Sequence, residues 1–186
     1  MSFEQVLKVP LDRVGVLLGK QGLTKSEIEK ACNVSLDIDS RTGEVSVKLK
    51  GSVEEAEPFK AIAIINAISR GFSPERAFKL LGDNTMLEII DLREYAGRSR
   101  DALTRIKGRI IGLRGKARRV IEELTATEIS VYGHTVAIIG EPDRVGLASE
   151  AVRRLASGSQ HSSVYRMLQK ERQKAKLERL KLWEER

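Results

Sequence analysis

Ile110-Ile111-Gly112-Leu113-Arg114-Gly115-Lys116-Ala117-Arg118-Arg119 is the stretch whose reading decides the fold. An apolar helix end runs into a Gly-x-x-Gly turn, and a basic helix start follows directly. Two glycines let the backbone take conformations other residues avoid, and they remove side chains that would hold a ligand away. A helix beginning there offers unpaired N–H groups and the positive end of its dipole, which suit a phosphate. Arg114, Lys116, Arg118 and Arg119 raise the positive potential at the same point.

Working outward, the chain carries this unit twice. Leu17-Leu18-Gly19-Lys20-Gln21-Gly22-Leu23 repeats the pattern, with Gly19 standing 93 positions before Gly112. One such glycine pair means little in a chain with 15 glycines. Two with matching surroundings make a repeat, and a repeat of this length in 186 residues favours two small domains. Charge separates the copies. Residues 1–84 hold 12 Lys/Arg and 12 Asp/Glu, residues 85–186 hold 21 and 14, and residues 93–119 alone hold ten and two. The net charge of +7 therefore lies in the second half and points to a polyanionic partner, with a merely solvated basic face as the bland alternative. Aromatics make up 4% of the chain, so base stacking must use few rings or arginine planes.

Cys32 stands alone and the two histidines are far apart, so neither a disulfide framework nor a metal site is expected, and no cofactor is implied. The N-terminus has no basic-then-apolar targeting segment and no stretch is long enough to span a membrane, which predicts a cytoplasmic protein.

In chain order, Val6–Pro10 reads as a short strand, Arg13–Leu18 as a helix, and Leu23–Cys32 as a helix with Thr24 as cap and Glu27 completing a capping box. Val34–Asp39 and Glu44–Lys50 alternate as paired strands around the turn 40–43. Val53–Arg70 reads as a long helix ended by Gly71. Residues 72–84 form an ordered connector in which Pro74 starts a short helix. The second pass gives a strand at Met86–Asp91, helices at Ser99–Ile111 and Lys116–Leu124, strands at Glu128–Tyr132 and His134–Ile139, and a helix at Asp143–Ala156. Gly140-Glu-Pro142-Asp143 pairs with Gly51-Ser-Val-Glu54. A basic tail helix, Val164–Glu185, completes the chain. Its apolar positions are too sparse for a core helix, so it packs at its start and projects at its end. The expected units are 1–71, a connector 72–84, 85–158 and a tail 159–186.

That element order, with Ile-Ile-Gly-Leu-Arg-Gly-Lys and Leu-Leu-Gly-Lys-Gln-Gly at the same place in each half, resembles the type I KH domain twice over. With Gly-Ser-x-His-x-x-Val-Tyr at Gly158–Tyr165 and a basic tail, the chain resembles the archaeal partner-of-Nob-one family over about residues 4–175. The resemblance implies an α+β fold of two tandem type I KH domains, each a three-stranded antiparallel sheet with three helices, plus a C-terminal basic helix. It also implies an RNA-binding assembly factor for the small ribosomal subunit, acting near the 3′ end of its rRNA. Implied partners are single-stranded rRNA, the endonuclease that trims that end and the alpha subunit of the archaeal translation initiation factor. A monomer that does not bind membranes is expected.

KH modules clamp about four nucleotides of a single strand against the glycine turn and a neighbouring groove. In the second half the clamp is Gly112, Leu113, Arg114 and Gly115. Lys116, Arg118 and Arg119 add backbone contacts, helped by Arg105, Lys107 and Arg109. Ile111, Ile121 or Val120, Ile129 and Val131 line the groove, and for Ile111, Ile129 and Val131 a plain core role stays open. In the first half the candidates are Leu18, Gly19, Lys20, Gln21, Gly22, Lys25 and Leu36. Asp37 and Asp39 weaken that site if they face the groove and only solubilise if they face away. Two weak sites on one chain still bind one RNA tightly, because the second contact is intramolecular. His161 and Tyr165 read as locking the tail to the second half, while Trp183 could stack a base or dock a partner.

Two other readings stand against this one. Gly15-Val-Leu-Leu-Gly19-Lys20-Gln21 is one residue short of a phosphate-binding loop and lacks the Ser/Thr after Lys, so an enzyme is not expected. A KH-fold scaffold that docks a nuclease or a translation initiation factor, with little RNA binding of its own, is the alternative.

Overall fold

The computed structural model describes residues 3–184 and divides into two compact units between Leu87 and Glu88.

In the first unit, β1 (Glu4–Lys8), β2 (Val34–Ile38) and β3 (Glu44–Leu49) form an antiparallel sheet in the order β1-β3-β2. Helices α1 (Leu11–Leu18), α2 (Leu23–Cys32) and α3 (Pro58–Ser69) pack on one another, and α2 and α3 also pack on the sheet. The alternation of β2 and β3 explains the layering. Val34, Leu36, Val45 and Val47 are buried while Ser35 and Asp37 face outward. Asp37 thus lies on the opposite side of its strand from Leu36. Asp39 accepts from the Arg41 and Thr42 N–H groups at 2.8 and 3.3 Å, bonds that hold its carboxyl below the usual range.

Four sequence readings need correction in this unit, the first being the opening strand, which runs Glu4–Lys8 rather than Val6–Pro10. The α1 helix starts two residues early, at Leu11, because Pro10 precedes it with extended backbone and Arg13 N–H already donates to Pro10 O at 2.8 Å. Thr24 is not the cap of α2. Gly22 is, in the left-handed region, and Thr24 is buried inside the first turn. The α3 helix starts at Pro58 rather than Val53, since Glu57 is its N-cap and Pro58 takes the favoured first position. Pro58 is therefore the counterpart of Pro142, and the pairing of residues 51–54 with 140–143 was misplaced. After α3, the connector is ordered as α4 (Pro74–Ala77), capped by Ser73 accepting from Arg76 N–H, and a 3-10 turn Phe78–Leu81.

The second unit repeats the plan. Strands β4 (Met86–Asp91), β5 (Glu128–Tyr132) and β6 (Thr135–Gly140) order as β4-β6-β5, with β5 and β6 antiparallel. Thr135–Ile139 is buried on both faces, as its continuous apolar run Val136–Ile139 suggests. A four-residue helix absent from the sequence reading, α5 (Arg93–Ala96), follows β4. Asp91 starts it by accepting from Arg93 N–H at 2.9 Å. The same carboxylate takes the Arg93 guanidinium at 2.6 Å, which holds it well below the usual carboxylate range. Next come α6 (Arg100–Ile111), capped by Ser99 accepting from Ala102 N–H, and α7 (Lys116–Thr125). They are followed by α8 (Pro142–Ala156) and α9 (His161–Glu184). Ile90, Ile110, Ile121, Ile129, Ile138 and Val152 centre the core, and Val164 and Leu168 tie α9 into it. The tail helix starts three residues before the sequence reading put it. Its expected end, Glu185, lies outside the described residues.

Candidate nucleic-acid interface

Both glycine turns have the same backbone. In the first, Gly19 lies at φ 74°, ψ 178°, Gln21 at 54°, 28° and Gly22 at 74°, 16°. In the second, Gly112 lies at 73°, 177°, Arg114 at 54°, 30° and Gly115 at 75°, 14°. Three of the four residues in each turn thus have positive φ. A helical residue followed by a left-handed one makes a concavity of backbone N–H groups that suits an anion. The turn closes on itself, with Gly112 N–H donating to Gly108 O at 2.8 Å and Gly115 N–H to Gly112 O at 3.2 Å.

The glycines do different jobs. A Cβ on Gly112 would stand 2.7 Å from the Ala117 nitrogen and Cβ, and one on Gly19 would stand 2.3 Å from Thr24 Oγ1. The first glycine of each turn is required for close approach to the helix that follows. At Gly22 a Cβ meets nothing within 4 Å, and at Gly115 only Arg118 Nη2 at 4.0 Å, so only the left-handed backbone favours glycine there. Both second glycines cap their helices, and having no side chain they leave the first-turn N–H groups of α2 and α7 without a capping side chain at that position.

Charge gathers around the second turn. Leu113 is 84% exposed, and Arg114 and Lys116 are exposed beside it. Arg119 Nη2 donates to Arg114 O at 3.0 Å, which braces the turn and keeps the guanidinium at its rim. Arg118 reaches toward Gly115 with its Nη2, while its Nε is buried and has no hydrogen-bond partner among the described residues. In the first turn Lys20 and Gln21 are exposed and Lys25 is half-buried. Asp37 and Asp39 are accounted for on the outer sheet face and in the hairpin.

Several candidates are placed differently from the sequence reading. Arg109 is engaged within the fold: its Nε donates to Leu155 O at 3.1 Å and its Nη2 to Ser159 O. Its guanidinium ties the end of α8 to α6. Arg105, a turn away on the same side of α6, is exposed, whereas Lys107 faces another side and is half-buried. Ile129 and Leu36 are buried, at 0% and 2% exposure, and belong to the cores, as does Ile121. Ile111, Val120, Val131 and Leu18 are half-buried and remain available as groove walls.

Two repeated contacts escaped the sequence reading. Glu29 Oε1 accepts from Leu36 N–H and Glu122 Oε1 from Ile129 N–H, both at 2.8 Å, fixing each second helix to its strand. Both acids stand ten residues after the first glycine of their turn, a match that alignment of the two halves exposes. Arg13 does in the first unit what Arg109 does in the second, donating from Nε to Ile68 O and from Nη2 to Phe72 O, each at 2.8 Å. The two arginines occupy different helix positions, so alignment hides their shared role. The tail motif is a lock: His161 Nε2 lies 2.7 Å from Arg109 O, and the His161 and Tyr165 rings are 6.1 Å apart.

Comparison with known proteins agrees with this geometry. One family model, described as KH domain, matches residues 4–67, and another, described as Eukaryotic type KH-domain (KH-domain type I), matches residues 86–173. A KH domain-containing protein of Methanocaldococcus jannaschii is 47% identical over 182 residues, covering 96% of this chain and 78% of that one. The pre-rRNA-processing protein PNO1 of Chaetomium thermophilum is 35% identical over 108 residues, 56% of this chain and 41% of that protein. Among solved structures, the a/eIF2alpha-aDim2p-rRNA complex of Pyrococcus horikoshii matches with TM-score 0.86 and 46% identity, over 93% of this chain and 96% of that chain.

Proposed function

Since the chain belongs to the PNO1/Dim2 family of tandem KH-domain proteins, we propose that it is a small-subunit assembly factor binding single-stranded rRNA near its 3′ end. The observation that carries this reading is the turn 112–115, a backbone anion cradle ringed by Arg114, Lys116, Arg118 and Arg119. A phosphate held there would receive backbone N–H groups and the α7 dipole, while the arginines neutralise its neighbours. Leu18, Gly19, Lys20, Gln21, Gly22 and Lys25 form a second, less charged cradle, and Ile111 and Val131 act as groove walls for the bases in the second unit. The Pyrococcus complex supports rRNA and the alpha subunit of the initiation factor as partners here, and the 3′-end endonuclease is a further proposed partner. We read the chain as non-catalytic and cytoplasmic. The side chains around the charged cradle are cationic or apolar, which suits holding a polyanion rather than general acid–base work. No described helix is long and apolar enough to cross a membrane.

The test leaves the glycines alone, because a side chain at Gly112 would damage the fold. Leu113 and Arg114 are exposed, and aspartate tolerates the left-handed backbone of Arg114. The double variant Leu113→Asp/Arg114→Asp should keep its circular dichroism and lose at least about 100-fold in affinity for a 3′-end rRNA oligonucleotide. Unchanged affinity would favour the scaffold reading.

A further inference from the structure

The tail helix α9 leaves the body part-way along its length. Val164 and Leu168 are buried and Glu171 is half-buried, but every described residue from Arg172 to Glu184 is exposed. At about 1.5 Å per residue these 13 positions make an arm roughly 20 Å long. Helices that long are marginal in water without tertiary contacts.

The arm has two unlike faces. At about 100° per residue, Ala175 and Leu182 continue the stripe that begins with Val164 and Leu168, and Glu171 and Glu178 lie on the same side. Yet Leu182 is 65% exposed, so packing against the body has ended before it. Leu177, Leu180 and Trp183 project on another side, roughly 140° round, and are 59%, 52% and 79% exposed. Their spacing of three makes a continuous apolar ridge. Arg172, Lys176 and Arg179 flank one edge of the ridge, and Lys174 and Lys181 flank the other. Over residues 172–184 five side chains are basic and two acidic; Glu178 lies on the face away from the ridge, and Glu184 lies on the ridge side at its far end.

We propose that this outer face of α9 docks as a helix in a groove, into a protein partner whose apolar cleft is rimmed by carboxylates. Apolar anchors at helical spacing supply the affinity in that binding mode, and complementary rim charge supplies rate and orientation. Three other occupants fit less well. RNA would pair with the basic rims but leave Leu177 and Leu180 wet. A second copy would bring together two arms that are each net positive. A lipid surface needs a broader apolar face than three residues offer.

Trp183 is the one tryptophan of the chain, so intrinsic emission reports on the ridge alone. The full chain is titrated in parallel with calcium-loaded calmodulin, used purely as a carboxylate-rimmed apolar groove, with a 3′-end rRNA oligonucleotide, and with vesicles of anionic lipid. The expected result is a blue shift with calmodulin only. Leu177→Ser/Leu180→Ser should weaken that binding tenfold or more, and so should Lys176→Glu/Lys181→Glu, which keeps the ridge and reverses its rims. No shift with calmodulin, or a shift that both variants leave untouched, overturns the proposal. A shift with oligonucleotide, with vesicles, or with protein concentration alone also overturns it, by giving the face to RNA, lipid or a second copy.

Discussion

The two glycine turns share a backbone and differ in what surrounds it. Their φ values agree within a degree or two, 74°, 54° and 74° against 73°, 54° and 75°. The residues that follow do not agree: Leu23-Thr24-Lys25-Ser26 in one unit, Lys116-Ala117-Arg118-Arg119 in the other. The cradle is therefore a property of main-chain geometry, maintained by a first glycine that cannot carry a side chain. How strongly it holds a phosphate is a separate property, set by the charge around it. The comparison can be broken or sharpened at both levels.

The largest effect should come from the first glycine. Gly112→Ala should destabilise the second unit by about 3 kcal/mol or more, since overpacking against Ala117 adds to left-handed strain, whereas Gly115→Ala should cost only about 1 kcal/mol. Urea unfolding of the two variants checks this. Equal losses would mean that close approach to the following helix is not the reason for Gly112.

Next come the arginine ties. Arg13→Ala and Arg109→Ala should each cost about 2 kcal/mol, because each leaves two main-chain carbonyls without a charged donor. Arg109→Ala should lower the thermal midpoint without changing the salt dependence of RNA binding. A lower salt slope would return Arg109 to the RNA-contacting set.

A smaller gain is expected where the copies differ in the residue ending their second helix. Asn33 and Ala126 both take left-handed backbone, at φ 51° and 52°, and alanine suits it worse than asparagine. Ala126→Gly should stabilise by roughly 0.5–1 kcal/mol in calorimetry. Asn33→Gly should give less, and a loss at Ala126 would contradict the geometry.

The smallest effect concerns pH and only the first unit. Burial pushes the Cys32 thiol up to about 11, above its ordinary value of 9.0. The folded form thus disfavours the thiolate. The stabilisation is complete below the unfolded value and is lost as pH rises from about 9 toward 11. At pH 8 the folded chain should resist alkylation at Cys32 and become reactive on unfolding. Rapid alkylation without denaturant would show that the first unit opens readily.

Much of this plan was legible in the residues. The repeat at Gly19 and Gly112, the alternating strands and the capping Ser99 lay in local patterns, and local patterns are what periodicity reads. Where reading failed, the cause was tertiary. Thr24 resembles a cap, yet Gly22 already takes the left-handed cap position and Thr24 must pack beneath Gly19. Residues 53–57 favour a helix by composition, but Pro58 fits the first helical position better than the interior. Arg109 belongs by charge to the basic cluster, while the carbonyls it serves lie 46 and 50 residues away. No local signal records that distance. Of the cradle itself, glycines and charges could be read directly, and which apolar neighbours are core, as Leu36 and Ile129 are, could not.

The account rests most heavily on the second cradle being the stronger electrostatic anchor, and salt dependence measures that directly. Affinity for the rRNA 3′-end oligonucleotide is followed against salt for the native chain, for Arg114→Gln/Lys116→Gln/Arg118→Gln, and for Lys20→Gln/Lys25→Gln. Each phosphate contact on a single strand contributes about 0.7 to the log–log slope. The first variant should flatten the slope by about 2 and the second by no more than about 1. Equal flattening, or a larger change from the first-unit variant, would contradict the account.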